Sequence, residues 1–324
     1  MNGLARRSFL SVAAGALAAP AFAAGKAPWG AIGQYGERAA PLTVFERDGA
    51  LFADGRGLSA ARLTPRGGGR YAVAGGGELV LEKGAVRLDG TRLAFHDFGA
   101  ETQAAIRAAV RADPAALRER ALAASPPVET GDHLPSDLVD LTKIDPRIRL
   151  DIRYAGADNF MGVPLYERAA AYLQRPAAEA LGRVQAALAK QGYGLLIHDA
   201  YRPWFVTWMF WEATPPENHA FVADPAKGSR HNRGCAVDLT LYDLRTGRPV
   251  EMPSRYDEFS DRAYADFIGG TTAQRTRRAI LREAMVAQGF EVYPEEWWHF
   301  DFKDWRRYGI GTQTFKALAS PTRN

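Results

Sequence analysis

At 324 residues the chain is long for one small domain, and its 47% hydrophobic and 24% charged content excludes disordered and fibrous classes. The formal charge is only +4; Arg6 and Arg7 supply two of those charges, so a chain beginning at Ala24 carries +2. A sequence pI of 9.2 is unsupported by any basic stripe interleaved with aromatics, and nucleic acid is not an expected partner.

Residues 1–23, MNGLARRSFLSVAAGALAAPAFA, read as an export signal: two arginines, an apolar stretch, and a small-x-small ending at Ala21-Phe22-Ala23. Arg-Arg-Ser-Phe-Leu resembles the twin-arginine signal, which implies export of a folded chain, most simply to the periplasm. The stretch is short and Ala-rich for a membrane span, so no stable membrane insertion is expected after its removal. Cys235 is the single cysteine, which rules out an intramolecular disulfide.

Residues 24–40 are rich in Gly, Ala and Pro and read as a linker. Residues 41–100 change character: LTVFERDGALFADG and GELVLEKGAVRLDGTRLAFHDF hold short apolar-polar runs broken by Asp-Gly pairs, the pattern of hairpins in a small all-β module. Residues 101–130 read as a helical linker, with Pro114 dividing it into two helices. The remainder, 131–318, reads as an α+β domain. LVDLTKI, IRLDIRYA, GLLIHDAY, CAVDLTLY and WWHFDF are its strand candidates. Helices are expected from about Pro176 to Gly192 and over 271–289. Strands and helices do not alternate regularly, which argues against a doubly wound parallel sheet.

Along CAVDLTLY, alternation places Val237, Leu239 and Leu241 on one face and Asp238 on the other, where a carboxylate can meet a cation. His231 precedes it in a loop able to fold back. In the last strand His299 sits among aromatics that exclude water. Two imidazoles and a carboxylate with an open fourth position suit catalytic zinc. Peptide hydrolysis also needs a base, and the sequence offers Glu295 and Glu296. Ideal strand parity puts Glu295 on the face of His299, but Pro294 makes the strand entry irregular, so parity leaves both open.

Ser-x-His-x-x-Gly-x-Ala-x-Asp (Ser229 to Asp238) followed by Glu-x-Trp-His (Glu296 to His299) resembles the zinc D-alanyl-D-alanine dipeptidases, the vancomycin-resistance type among them. Their wider family takes in zinc D,D-carboxypeptidases and the hedgehog-like fold. RYAGADNFMGVPLY (153–166), DAYRP (199–203) and SRYDEF (254–259) extend the resemblance, in order, over roughly residues 135–305. It implies an antiparallel-sheet zinc peptidase domain binding one Zn2+ per chain through His231, Asp238 and His299. Glu296 matches the base, and Arg202 matches an arginine that stabilises the oxyanion. Asp257 matches the contact to the substrate ammonium and Ser229 a contact to its carboxylate; Tyr154 and Asn159 are expected to line the pocket. The implied substrate is D-Ala-D-Ala or a related small peptide of the cell wall. The rival readings are a zinc D,D- or L,D-carboxypeptidase acting on larger stem peptides, and a non-catalytic zinc-stabilised wall-binding module. Two departures stand out: the export signal with its β-module, and Cys235, which is expected to pack in the core.

Overall fold

The computed structural model describes residues 29–319; the expected export signal lies outside them. Eight strands come first: β1 Gly33–Tyr35, β2 Leu42–Arg47, β3 Ala50–Gly55, β4 Leu58–Gly67, β5 Arg70–Val73, β6 Glu78–Glu82, β7 Ala85–Leu88 and β8 Thr91–His96. Each pairs antiparallel with the next, and β1 pairs with β8, closing a barrel. Asp48-Gly49 and Asp89-Gly90 both have positive φ at each residue, the twist that two-residue hairpins require. The barrel has its own core, including Leu42, Val44, Leu63, Leu79 and Val86.

Two expectations are corrected here. The stretch 24–40, expected to be a linker, contains β1, which completes the barrel. Gly33 permits the closure, since a Cβ there would lie 2.7 Å from the Phe95 ring on β8. The segment expected as a helical linker forms α1 (Phe98–Ala112) and α2 (Pro114–Ala123), split at Asp113, whose side chain caps α2 at Ala116 N. These helices are not a tether. Ile106, Val110, Leu117 and Ala121 are buried in the same core as the following domain.

That domain is built on a five-stranded sheet ordered β10-β12-β13-β15-β14. Its strands are β10 Arg149–Leu150, β12 Tyr193–Asp199, β13 Ala236–Asp243, β14 Phe290–Tyr293 and β15 Glu296–Phe302; β9 Leu138–Asp140 and β11 Tyr172–Gln174 form a separate pair. The sheet is antiparallel except for β10 against β12, which run parallel. The expected antiparallel sheet is thus present, with one parallel pair at its edge. Helices α3 (Arg175–Ala189) and α5 (Thr272–Val286) present buried stripes, with Leu181, Val184 and Leu188 on the first and Leu281 and Met285 on the second. Helix α4 (Trp204–Ala213) was not foreseen: its run WFVTWMFWEA is apolar all round and so lacks the periodic signal of a surface helix. A short α6 (Phe315–Ala319) follows, with Phe315 buried. Among the described residues no helix is long and apolar enough to cross a membrane.

If α1 is core rather than tether, Ile106→Ala should destabilise the protein by about 2–5 kcal/mol, the range for emptying a fully buried Ile site. Equilibrium denaturation in urea checks this; an unchanged midpoint would show that α1 contributes no packing.

Candidate active site and metal centre

The site grows from the register of three adjacent strands. Asp199 on β12 stands opposite Asp238 on β13, and Asp238 stands opposite His299 on β15. A bulge at His198 sets the first of these pairings, because Ile197 pairs with Leu239 and the next partner of Asp238 is Asp199. Such a bulge re-aims the side chains that follow it. His231 arrives from a turn between Gly228 and Gly234, both with positive φ. Asn232 ties this turn down: its Oδ1 accepts from Ser229 N at 2.8 Å, and its Nδ2 donates to Arg202 O at 2.8 Å and to Thr207 Oγ1 at 2.9 Å.

His231 Nε2 and His299 Nδ1 face each other at 3.1 Å. Asp238 Oδ1 lies 3.4 Å from the first and 3.1 Å from the second. Ligand atoms around a tetrahedral zinc stand about 3.3–3.4 Å apart, given metal–nitrogen bonds of about 2.0–2.1 Å. The other nitrogen of each ring is committed: His231 Nδ1 to Ala200 O at 2.6 Å and His299 Nε2 to Asp301 Oδ1 at 2.9 Å. Such outer hydrogen bonds fix each ring's orientation, and in a metal-bound state they keep the ring proton on the outer nitrogen so that the inner one can ligate. Asp238 Oδ1 is buried and has no hydrogen-bond partner. Two imidazole nitrogens and a carboxylate oxygen, all buried and converging on one point, are the donor set of a cation site, so the residues present fit a zinc ion.

Around this centre is a cavity of 130 Å³ lined by Glu296, Arg202, Ser229, Asp257 and Tyr154, among others. Glu296 Oε2 lies 3.6 Å from His299 Nδ1. Burial pushes the Glu296 carboxyl up to about 7, aided by Asp238 and opposed by His299 and Arg202. Burial also disfavours ionisation of Asp238, yet the imidazoles of His231 and His299 outweigh it and hold this carboxyl well below the usual range. Arg202 is buried and donates from Nε to Asp199 Oδ2 at 2.9 Å, while its Nη2 reaches Asp238 Oδ2 at 3.7 Å. Its guanidinium lies over the Phe210 ring on α4 at 4.7 Å. The salt bridge to Asp199 and the position beside the cavity therefore coexist.

Asp257 occupies a left-handed backbone position, φ 57°. Both carboxylate oxygens accept from Tyr154 OH at 3.0 Å, and among the described residues no cationic side chain forms an ion pair with it. Burial and the charge of Asp238 push its carboxyl well above the ordinary range. This acid lacks a cation and faces a cavity.

Of the residues expected from the sequence, His231, Asp238, His299, Glu296, Arg202, Ser229, Asp257 and Tyr154 are brought together around the cavity. Asn159 is not. Its amide donates to Arg153 O, Gly156 O and Val163 O, and its Oδ1 accepts from Met161 N and Gly162 N. With its hydrogen bonds spent on its own loop, Asn159 shapes the turn after Tyr154 instead of facing the cavity. Glu295 also stays out. Val292 pairs with Phe300, but Tyr293 pairs with Glu296, so extra residues on β15 reset its faces and turn Glu296 inward. Three further residues support the site. Asp199 accepts from Tyr166 OH at 2.7 Å and fixes Arg202. Tyr256 donates to Asp238 Oδ2 at 2.9 Å, and Asp301 orients His299. Asp301 shares strand parity with His299, a signal that pointed to it; Tyr256, in a loop, carried only its place in the SRYDEF motif.

Residues 135–316 match the family model described as D-ala-D-ala dipeptidase. The chain is similar to a D-alanyl-D-alanine dipeptidase of Escherichia coli (strain K12), 34% identical over 186 residues, covering 57% of this chain and 95% of that protein. It is also similar to proteins of the same name from Enterococcus faecium, 38% identical over 180 residues, and Enterococcus faecalis (strain ATCC 700802 / V583), 35% identical over 178 residues. Each of those two alignments covers 48% of this chain and 87% of the relative.

Competition with a chromophoric chelator should find one tight zinc equivalent per chain, lost in Asp238→Ala. Asp301→Asn should weaken zinc affinity by about 10–100-fold, the usual effect of removing a ligand's outer partner. Unchanged affinity in Asp238→Ala would contradict the assigned centre.

Proposed function

The chain belongs to the D-alanyl-D-alanine dipeptidase family, and from that premise we propose that it hydrolyses free D-alanyl-D-alanine to D-alanine in a zinc-dependent reaction. The observation that carries the reading is the convergence of three buried ligand atoms beside Glu296, in a cavity that also exposes the unpaired acid Asp257.

His231, Asp238 and His299 would hold the zinc ion, which when bound would supply Lewis acidity and lower the pKa of water toward neutrality. Glu296 accepts the proton of the attacking water and passes it to the leaving amine, a task suited to a carboxyl whose affinity for protons lies near neutrality. Arg202, held by Asp199 and packed over Phe210, presents a fixed positive charge where the carbonyl oxygen becomes anionic. Because the guanidinium is already held, little reorganisation is needed as that charge develops. Asp257, oriented by Tyr154, takes the substrate ammonium in a charge-assisted hydrogen bond. Ser229 accepts from Asn232 N at 3.1 Å through its Oγ, so its own proton remains free to donate to the substrate carboxylate. A dipeptide satisfies both ends at once, whereas a longer stem peptide brings no ammonium to Asp257.

We further propose that the enzyme is exported and acts in cell-wall peptide turnover. The support is the arginine-pair pattern in residues 1–23, which fits export to a compartment where wall-derived dipeptide would be released.

D-alanine release from D-Ala-D-Ala, followed with and without chelator, tests the reading. Activity should vanish on zinc removal and return on re-addition; no release from the zinc-loaded chain would contradict it. Glu296→Ala should lower kcat by about 10²–10⁴-fold, and Glu295→Ala should leave it within about twofold. The N-acetylated dipeptide should be cleaved far more slowly than the free one. Equal rates would remove the role given to Asp257 and favour a D,D-carboxypeptidase.

A further inference from the structure

The segment carrying Asp257 is held from outside the family domain. Gln103 on α1 donates from Nε2 to Asp257 O at 2.6 Å. Asp97, which caps α1, accepts from Arg255 Nη2 at 2.7 Å, and Arg38 of the barrel module donates from Nη2 to Phe259 O at 3.0 Å. Gly99 packs so closely that an added Cβ would lie 2.7 Å from Glu258 Cγ. The Glu258 side chain in turn folds the segment on itself, accepting from Arg255 N at 3.2 Å and Ser260 Oγ at 2.7 Å. All the clamping residues precede the matched stretch 135–316.

These contacts meet a need created by the backbone. A non-glycine residue in the left-handed region is disfavoured and persists only where its surroundings hold it. Asp257 is such a residue, and its carbonyl is the atom that Gln103 grips. A second contact follows the same logic: Arg107, one helical turn further along α1, donates to Asn159 O at 2.7 Å. That bond secures the loop following Tyr154, whose hydroxyl orients the Asp257 carboxylate. One face of α1 therefore holds both the acid and the loop of its hydrogen-bond donor.

We propose that Gln103 is a positioning residue for substrate selection, and that the barrel and α1 serve as a clamp setting Asp257 at the distance a free amino terminus requires. The proposal rests on the dipeptidase reading of Asp257. It gives the N-terminal extension a part in specificity without placing any of its atoms on substrate.

The test is a KM-against-kcat comparison on the full-length, zinc-loaded chain with free D-Ala-D-Ala. Gln103→Ala should raise KM by about three- to tenfold, the loss expected for one hydrogen bond, with kcat and zinc content unchanged. Gln103→Glu, of equal size but without the donor when ionised, should raise KM at least as much. Gly99→Ala, which displaces Glu258 without touching Gln103, should shift KM in the same direction. Arg70→Ala, on an exposed barrel ion pair with Glu78, should change nothing. Unchanged KM in both Gln103→Ala and Gln103→Glu would overturn the proposal, as would a fall in kcat matched by loss of zinc. Asp257→Asn separates the two readings. If it raises KM while the Gln103 variants do not, only the clamp fails; if it leaves KM unchanged, the reading of Asp257 fails and takes the clamp with it.

Discussion

A carboxylate oxygen buried without a hydrogen bond is costly, and Asp238 Oδ1 is such an atom. It faces two imidazole nitrogens on rings whose outer nitrogens are tied to Ala200 O and Asp301. A cation resolves all three lone pairs at once, and much of the surrounding structure keeps them in register. The bulge on β12, the Asn232-tied turn and the pairing of β13 with β15 each deliver one part of that geometry.

Charge is distributed around this centre by use. Arg202 is compensated by Asp199 and rests on an aromatic ring, so its position is set before any substrate arrives. Asp257 has only a tyrosine hydroxyl, and Glu296 only the electrostatic influence of its neighbours. The two acids without a dedicated cation are those to which the proposed reaction assigns an ammonium and a proton. Preorganised and uncompensated groups thus divide along the line between stabilising charge and receiving it.

The sequence made the metal ligands legible because they lie on strands or in a turn next to one, where alternation and spacing carry information. It failed where geometry departs from the ideal. Glu296 points inward through a register irregularity that parity cannot express, and only motif resemblance selected it over Glu295. Asn159 lies in a recognisable motif, yet its hydrogen-bonding groups turn back on their own loop, which no linear pattern reveals. Helix α4 is apolar on nearly every face, with Glu212 its one exposed residue, and so has no amphipathic period. Strand β1 is three residues of Gly, Gln and Tyr within a stretch whose composition suggests a linker. The contacts of α1 to Asp257 and Asn159 join residues 154 and 52 positions apart. Such long-range pairings follow from the packing of the N-terminal extension and leave no local trace.

The central claim is that His231 Nε2, His299 Nδ1 and Asp238 Oδ1 together hold one zinc ion. Anomalous scattering from a zinc-loaded crystal, recorded above and below the zinc edge, addresses it without reference to activity. One strong peak is expected within about 2.0–2.2 Å of all three atoms. A peak bound elsewhere, or none at this cluster in crystals containing stoichiometric zinc, would contradict it.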